Sequence, residues 1–370
     1  MVAVGSGMID IELSDGLDLE RVGEVWRELE GRADGSFFQS WAWVGCLAAE
    51  RFSDPVLLHA SDGGRTIGLG LFNRRRRFGR TTLWLNESGT PRHDATFVEH
   101  NGLLVERDCP AILVGDCLNA LSERGRPRVI LSGAPDLYVA AARASVLRAS
   151  RPAPYVDLAA VRRAGRNYLD HLSANTRYQL RRSHRRFAAC GPLTISRAET
   201  AAEALQYLDG LAALHQDYWT RRGRPGAFAN PDFTRFHRAL IAGAMPEGGV
   251  DLLLVAAGGR AVGYLYNFRY RRTVYAYQSG FDYGAADNAR KPGLTSHHLA
   301  VERYLALGAD RYDFLAGGDR YKMSLSTGAT MLNWLELGGG PISALRRRLP
   351  AIDALRRWRD SSASRSGQIG

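Results

Sequence analysis

The sequence predicts an α+β protein of two domains, and three observations carry that prediction. The chain has 370 residues, so two domains of roughly 150 to 190 residues are expected rather than one enlarged core. Its composition, 45% hydrophobic and 24% charged, is that of a globular protein with ordinary cores. In the second half, helices come first, antiparallel strands next, then one helix and one more strand. That order lays a crossover helix over a sheet.

The first part, to about residue 155, alternates short helical and strand patterns. Strands are expected at 56–59, 66–72 and 81–85, with Asp62, Gly63 and Gly64 turning the first pair. Arg151, Pro152, Ala153 and Pro154 read as a crossover between domains, because successive prolines cannot continue a helix. The expected domains are therefore 1–155 and 156–340, followed by a basic helix and Ser-rich disordered tail at 341–370. The second domain opens with a helix expected over 168–189 and ended by Gly191 and Pro192. Its Arg177, Arg181 and Arg185 stand at i, i+4 and i+8 on one face, with Arg182 and Arg186 beside them. A short strand at 193–196 precedes helices at 200–222 and 232–244; in the first of these Leu205, Leu208, Leu211, Ala212 and His215 have core-facing spacing. Strands at 250–257, 261–270 and 273–281 follow, with Gly258 and Gly259 turning the first hairpin. Pro292 and Gly293 then open a helix that Gly308 stops, and strands at 311–315 and 331–337 complete the pattern.

No apolar run approaches the roughly 18 residues of a membrane-spanning helix. The N-terminus lacks the basic flank and apolar core of an export signal, so the expected address is cytoplasmic. Cys46, Cys109, Cys117 and Cys190 are scattered, with no CxxC and no metal-ligand spacing, and no metal is expected. A net charge of +11 suits a polyanionic partner such as CoA, tRNA or phospholipid headgroups. Much of the excess sits in Arg74–Arg77, in 177–186 and in 346–359, and such runs are more often solvated faces than binding patches. Of forty-nine basic residues only Lys291 and Lys322 are lysines, and both fall in 280–328, which holds just six of the forty-nine. In an Arg-biased chain, lysine marks places that need a compact ammonium or a point charge toward phosphate.

That window includes NARKPGLT at 288–295, between a strand and a helix. Such a turn leaves backbone N–H groups aimed outward at the positive end of the helix dipole, which makes an anion cradle. Arg290 and Lys291 add charge there and favour a pyrophosphate. The candidate cofactor-binding residues are Arg290, Lys291, Pro292, Gly293, Leu294 and Thr295. The segment is neither a Walker loop nor a Rossmann fingerprint, and Pro-Gly helix starts also occur for structural reasons alone.

Four linked pieces give the chain a family resemblance: the aromatic strand ending Ser279, Gly280, Phe281, Asp282; the Pro292, Gly293 helix start; the strand Tyr312, Asp313, Phe314; and Gly318, Asp319 followed by Tyr321, Lys322. With the basic helix LSANTRYQLRRSHRRF and FFQSWAW at 37–43, they resemble the BioF2-like, or CelD-like, acetyltransferases of the GNAT superfamily, relatives of the FemAB aminoacyltransferases. The resemblance covers most of 37–337. Lys291 departs from it, standing where the family more often has a small residue. The resemblance implies two tandem GNAT-like domains, each a mixed, largely antiparallel sheet flanked by helices, packed across a cleft. It also implies acyl-CoA as co-substrate, a small-molecule, peptide or sugar acceptor, and a donor site in the second domain between splayed strands, here 261–270 and 273–281.

Acyl transfer from a thioester to an amine or sugar hydroxyl proceeds by direct attack and gains much of its rate from holding the reactants in line. It also needs a proton acceptor and support for the developing oxyanion. Asp282 is the candidate base or amine anchor, although a carboxylate at a loop start also caps turns. Asp319 is the second carboxylate. Lys322 would favour negative charge at the acyl group or bind an anionic acceptor, and Tyr321 would protonate the departing thiolate or pack in the core. His297 and His298 stay outside this set, because a helix N-terminus disfavours imidazolium and two adjacent histidines cannot both point inward. Asp313 is expected to anchor a loop. Two alternatives are open: FemAB-like transfer from aminoacyl-tRNA, using the arginines of 177–186 and 74–77, and a GNAT scaffold that only binds.

Overall fold

A computed structural model describes residues 9–109, 112–123, 127–142, 145–284 and 289–338. The expected basic helix and tail at 341–370 lie outside the described residues. The chain begins with β1 (Ile9–Ser14), α1 (Leu19–Arg32), α2 (Trp41–Arg51), β2 (Pro55–Asp62), β3 (Arg65–Arg77), β4 (Arg80–Leu85) and β5 (Leu104–Val105). Then come α3 (Ile112–Glu123), β6 (Arg128–Pro135), α4 (Asp136–Ala141), β7 (Ser145–Asp157), α5 (Leu158–Ala164), α6 (Ala174–Ala188) and β8 (Leu193–Arg197). The rest is α7 (Ala201–Thr220), α8 (Pro231–Ala244), β9 (Val250–Ala257), β10 (Arg260–Tyr270), β11 (Thr273–Phe281), α9 (Pro292–Ala306), β12 (Arg311–Asp313), α10 (Arg320–Leu325) and β13 (Gly328–Leu337). These elements form two compact units, 9–150 with 331–338 and 151–330.

In the first unit the strand order is β1-β2-β3-β4-β6-β13. Neighbours are antiparallel except β4 and β6, which pair in parallel only from Thr82↔Arg128 to Trp84↔Ile130. Leu113, Cys117 and Leu121 stand at i, i+4 and i+8 along α3 and pack with Leu58, Phe72, Leu85, Val129, Leu131 and Leu335 in one core. Past Trp84 and Ile130 the parallel strands diverge, and the chain fills its own gap. Asn101 donates its backbone N–H to Gly133 O (3.1 Å) and its side-chain amide to Leu85 O (3.1 Å). Ser132 Oγ donates to Glu87 Oε2 across the same opening (2.7 Å). Gly133, at φ +66°, lets this happen: a Cβ there would lie 2.6 Å from Val98 O.

In the second unit the order is β7-β12-β11-β10-β9-β8. Here the parallel pair is β11 with β12, from Thr273↔Arg311 to Tyr275↔Asp313, joined through α9. The two units thus repeat one plan, antiparallel strands followed by a parallel pair with a helical crossover, although no repeat is visible in the sequence. The core beneath α9 gathers Leu253, Leu265, Val274, Phe281, Leu294, Val301, Tyr312 and Phe314.

Three expectations need correction. Residues 151–154 are strand, not crossover: β7 runs through them, since prolines forbid helix but tolerate extended backbone. Their carbonyls are used, Pro154 O accepting from Phe314 N (2.9 Å) and Pro152 O from Gly317 N (2.9 Å). Residues 331–338 group with the first unit rather than the second, because β13 pairs with β6 from Leu332↔Pro135 to Leu337↔Val129. Finally, the helix expected from 168 begins at Ala174, where Ser173 Oγ caps it by accepting from Thr176 N (3.2 Å).

Candidate functional site

The second unit's parallel pair opens as the first unit's does, but with a different outcome. β12 ends at Asp313 whereas β11 continues to Phe281, paired with β10 as far as Phe281↔Gly263. Beyond Tyr275, β11 has no strand partner on its β12 side among the described residues. The splayed strands are therefore β11 and β12. Strands β10 and β11, expected to splay, stay paired along their length with one bulge at Tyr266/Asn267.

The open edge leads to the start of α9. Pro292 occupies the first turn, no side chain caps the helix, and the first helical N–H to close back is that of Thr295, onto Lys291 O (3.0 Å). The N–H groups of Gly293 and Leu294 precede that bond and have no intrahelical acceptor. A Cβ at Gly293 would lie 3.2 Å from the Phe281 ring and 3.5 Å from Tyr283 Oη, so backbone is what the site presents there. Helix α6 braces this turn: Ser183 Oγ accepts from Lys291 N (2.9 Å) and meets Thr295 Oγ1 (2.8 Å). Leu294 and Thr295 are buried and turn inward, and Pro292 is buried as well. Arg290 and Lys291 are half-buried, and Arg290 donates to Cys190 Sγ (3.2 Å).

On the other side of the gap, Asp313 accepts from Leu315 N (2.8 Å) and from Arg311 (2.9 Å), anchoring the turn after β12. Leu315 there is left-handed at φ +62°. Lys322, only 4% exposed, extends its ammonium back to that turn, donating to Ala316 O (3.0 Å) and Leu315 O (3.4 Å) with Asp319 Oδ2 4.0 Å away. The motif expected as loop is helical: Asp319 occupies the N-cap of α10, with no cap hydrogen bond from its own carboxylate. Asp282, just past β11, accepts from Gly284 N (2.8 Å) and so does cap a turn.

The two adjacent histidines diverge. His297 is enclosed by Phe281, Tyr312, Phe314 and Tyr321, with Nδ1 3.0 Å from Tyr312 Oη and Nε2 without a protein partner. Burial, reinforced by the Lys322 charge, brings its pKa down to about 3, so the ring is neutral. His298 is buried too, contrary to expectation, but on a different face, between Tyr168 and His184, where burial and His184 lower it to about 4. It lines a cavity of about 680 Å³ with Leu169, Arg177, Tyr178, Arg181, His184 and Arg185. The i, i+4, i+8 arginines of α6 thus share one groove.

Sequence reasoning missed Tyr218, Arg222, Tyr283 and the role of His215. The Arg222 guanidinium lies 3.6 Å from the Tyr218 ring centroid, and Tyr218 meets Tyr283 at 5.1 Å. Burial raises the Tyr218 pKa, and the Asp319 charge adds to that, so carboxylate and phenol share one neighbourhood. His215 Nε2 accepts from Ala227 N (3.2 Å), which leaves Nδ1–H to donate to Ser279 O (3.2 Å) and ties α7 to the end of β11. Only the run of aromatic residues on either side of the site hinted at this. Asp282, Asp319, Tyr321 and Lys322 all lie in the second unit, Asp282 just past β11 and the other three at the start of α10. Among the described residues, no three His, Cys, Asp or Glu side chains gather as a metal site requires. No helix of the described residues is long and apolar enough to cross a membrane.

A parallel pair splayed ahead of an uncapped helix start is what the family resemblance implies, and comparison with known proteins bears on the same region. Residues 174–323 match the acetyltransferase (GNAT) domain family. The second unit is therefore a GNAT domain. The whole chain is similar in fold to FemX, at 10% identity and a TM-score of 0.56, over 91% of this chain and 100% of that one. It is similar also to the C-terminal domain of a putative lysylphosphatidylglycerol synthetase from Agrobacterium fabrum (12% identity, TM-score 0.55, 95% and 98% covered). A third likeness is to L-PGS from Bacillus licheniformis (12%, TM-score 0.52, 94% and 97% covered). Among curated proteins none matches the chain in sequence. The chain is FemAB-like in fold and GNAT in its second unit.

Proposed function

We propose that the second unit transfers an acyl group from acyl-CoA to an amine, or to a sugar hydroxyl, by direct attack on the thioester. The observation that carries this reading is that β11 has no strand partner on its β12 side at 276–281 and that α9 opens without a side-chain cap. An extended pantetheine arm has amides to pair with a strand edge, and its pyrophosphate suits a helix start flanked by Arg290 and Lys291. The first unit offers no such edge, because residues 98–101 occupy its gap. In the proposed reaction the acceptor nitrogen bonds to the acyl carbon, the C–S bond breaks, Asp319 or Asp282 takes the ammonium proton and Tyr321 protonates the thiolate. Lys322 acts by holding the turn at 315–317 and by its positive charge beneath the acyl group. Calorimetry with acetyl-CoA tests the reading: binding heat and a raised Tm are expected. Neither appearing at saturating acetyl-CoA removes acyl-CoA as donor.

A second reading, transfer from aminoacyl-tRNA, is favoured by the arginine groove of α6 and by the fold shared with FemX. It expects affinity for charged tRNA that falls steeply with salt, and no binding at low salt would eliminate it.

A further inference from the structure

The β3–β4 hairpin ends in a tip where Phe78 and the facing arginines work against its own stability. Arg77 pairs with Arg80, leaving Phe78 and Gly79 as a two-residue turn. Both have positive φ, +49° and +70°, the primed geometry for which Asn-Gly is the favoured pair. A bulky ring at positive φ is a steric outlier. The ring is also 89% exposed, the most exposed large apolar side chain among the described residues. Directly behind it, two like charges face each other across the strands, a pairing that repels. Arg75, Arg76, Arg77 and Arg80 are all exposed, and the Arg77 guanidinium lies 5.1 Å from the Phe78 ring centroid. Arg74, by contrast, is held by Asp54 (2.8 Å) and Asp15 (2.9 Å) and belongs to the body of the unit.

A turn selected only to reverse the chain would carry Asn or Gly where Phe78 stands. Strain concentrated at one exposed position points to a partner that offsets it. That partner must accept an apolar ring and neutralise four arginines within a few residues of the apex. A simple anion leaves the ring in water, and an apolar groove leaves the arginines unmatched. An anionic bilayer presents phosphates at its surface and hydrocarbon just below them. We propose that the β3–β4 tip is a docking element for an anionic phospholipid surface, Phe78 entering the interface while Arg75, Arg76, Arg77 and Arg80 meet the headgroup phosphates. The element lies in the first unit and is independent of the donor chemistry of the second.

Co-sedimentation of the full chain with phosphatidylcholine vesicles, with and without phosphatidylglycerol, tests the proposal. Binding only to vesicles that contain phosphatidylglycerol is expected. Phe78→Asn should weaken it about tenfold, since much of a ring's burial is lost, and Arg76→Ser with Arg77→Ser should weaken it by about tenfold or more. Phe78→Asn should also raise the Tm, because Asn accepts the left-handed turn. Undiminished vesicle binding by Phe78→Asn overturns the proposal by placing the contact elsewhere, as in the basic 346–359 run. So does failure of the unaltered chain to bind phosphatidylglycerol. If the chain binds short single-stranded RNA but not vesicles, and Phe78→Asn binds that RNA equally well, the arginines serve nucleic acid and the lipid proposal falls. A lower Tm for Phe78→Asn removes the strain on which the argument rests.

Discussion

Tyr321 stacks on His297, with ring centroids 5.5 Å apart and planes 23° from parallel. The residue proposed to serve the leaving group therefore rests on an imidazole kept neutral by burial and by the Lys322 ammonium. The stack joins α10 to α9 at the end of the gap.

Stability should consequently fall with pH in a window set by that imidazole. His297 has a folded pKa of about 3, against an unfolded value near 6.5. The depressed group leaves stability fully present above about pH 6.5, and stability is lost as pH falls toward 3, because the unfolded chain binds the proton first. His215 and His298, at about 4, act in the same direction. Glu87, raised to about 8 by burial and Asp94, acts oppositely, its contribution being lost as pH rises from about 4.5 to 8. Denaturant titrations at several pH values should show His297→Phe less steep than the unaltered protein by about 1.4 kcal/mol per pH unit between about pH 6 and pH 4. Parallel curves would mean that His297 is not the neutral group described.

Lys322→Met should lower both stability and activity. It leaves the carbonyls of Ala316 and Leu315 without their ammonium donor and the Asp319 carboxylate without its cation, which costs about 2–4 kcal/mol. The denaturation midpoint should drop with unchanged slope. A variant as stable as the parent would show that the turn does not depend on this lysine.

Asp282→Asn and Asp319→Asn should separate cap from chemistry. An Asn at 282 can still accept from Gly284 N, so stability should stay within about 0.5 kcal/mol of the parent. If that carboxylate is the base, CoA release with an accepted amine should fall about 100-fold or more. If Asp319 is the base instead, its Asn variant alone should show the loss, together with a flattened acidic limb of the pH–rate profile.

Gly280→Ala should be poorly tolerated. A Cβ at 280 would lie 2.3 Å from Leu211 O, a backbone atom of α7, so helix and strand must part at a cost of about 3 kcal/mol or more. A melting curve unchanged by this substitution would contradict the close approach of α7 to β11.

The architecture was legible wherever runs of strand-forming residues and turn residues agreed: β9 and β10 fall on either side of Gly258 and Gly259, β11 spans 273–281 as expected, and α9 starts at its Pro-Gly. Misreadings arose where a residue rules out one structure without choosing another. Pro152 and Pro154 exclude helix, and the extended strand they enter is chosen by the carbonyl bonds to Phe314 and Gly317 far along the chain. The candidate site was read from its charged residues. What the carboxylates and lysine signalled by type, the sequence could not join to Tyr218, Arg222 and Tyr283, which reach the site only through tertiary packing. The register that leaves β11 open and closes β4 likewise depends on strand lengths, since β12 has three residues and β11 nine.

The segment at 98–101 gives the first unit a built-in occupant, and that occupant doubles as a mould. Asn101 satisfies Gly133 O with a backbone amide and Leu85 O with a side-chain amide, so this diverging parallel pair is closed by amide donors carried on an irregular segment. A molecule seated beside residues 276–281 would meet a strand edge with no neighbouring strand, on which Ser279 already uses its carbonyl toward His215 and its N–H toward Gln278. Rigid apolar compounds should therefore be poor probes of the second gap, and short linear diamides good ones.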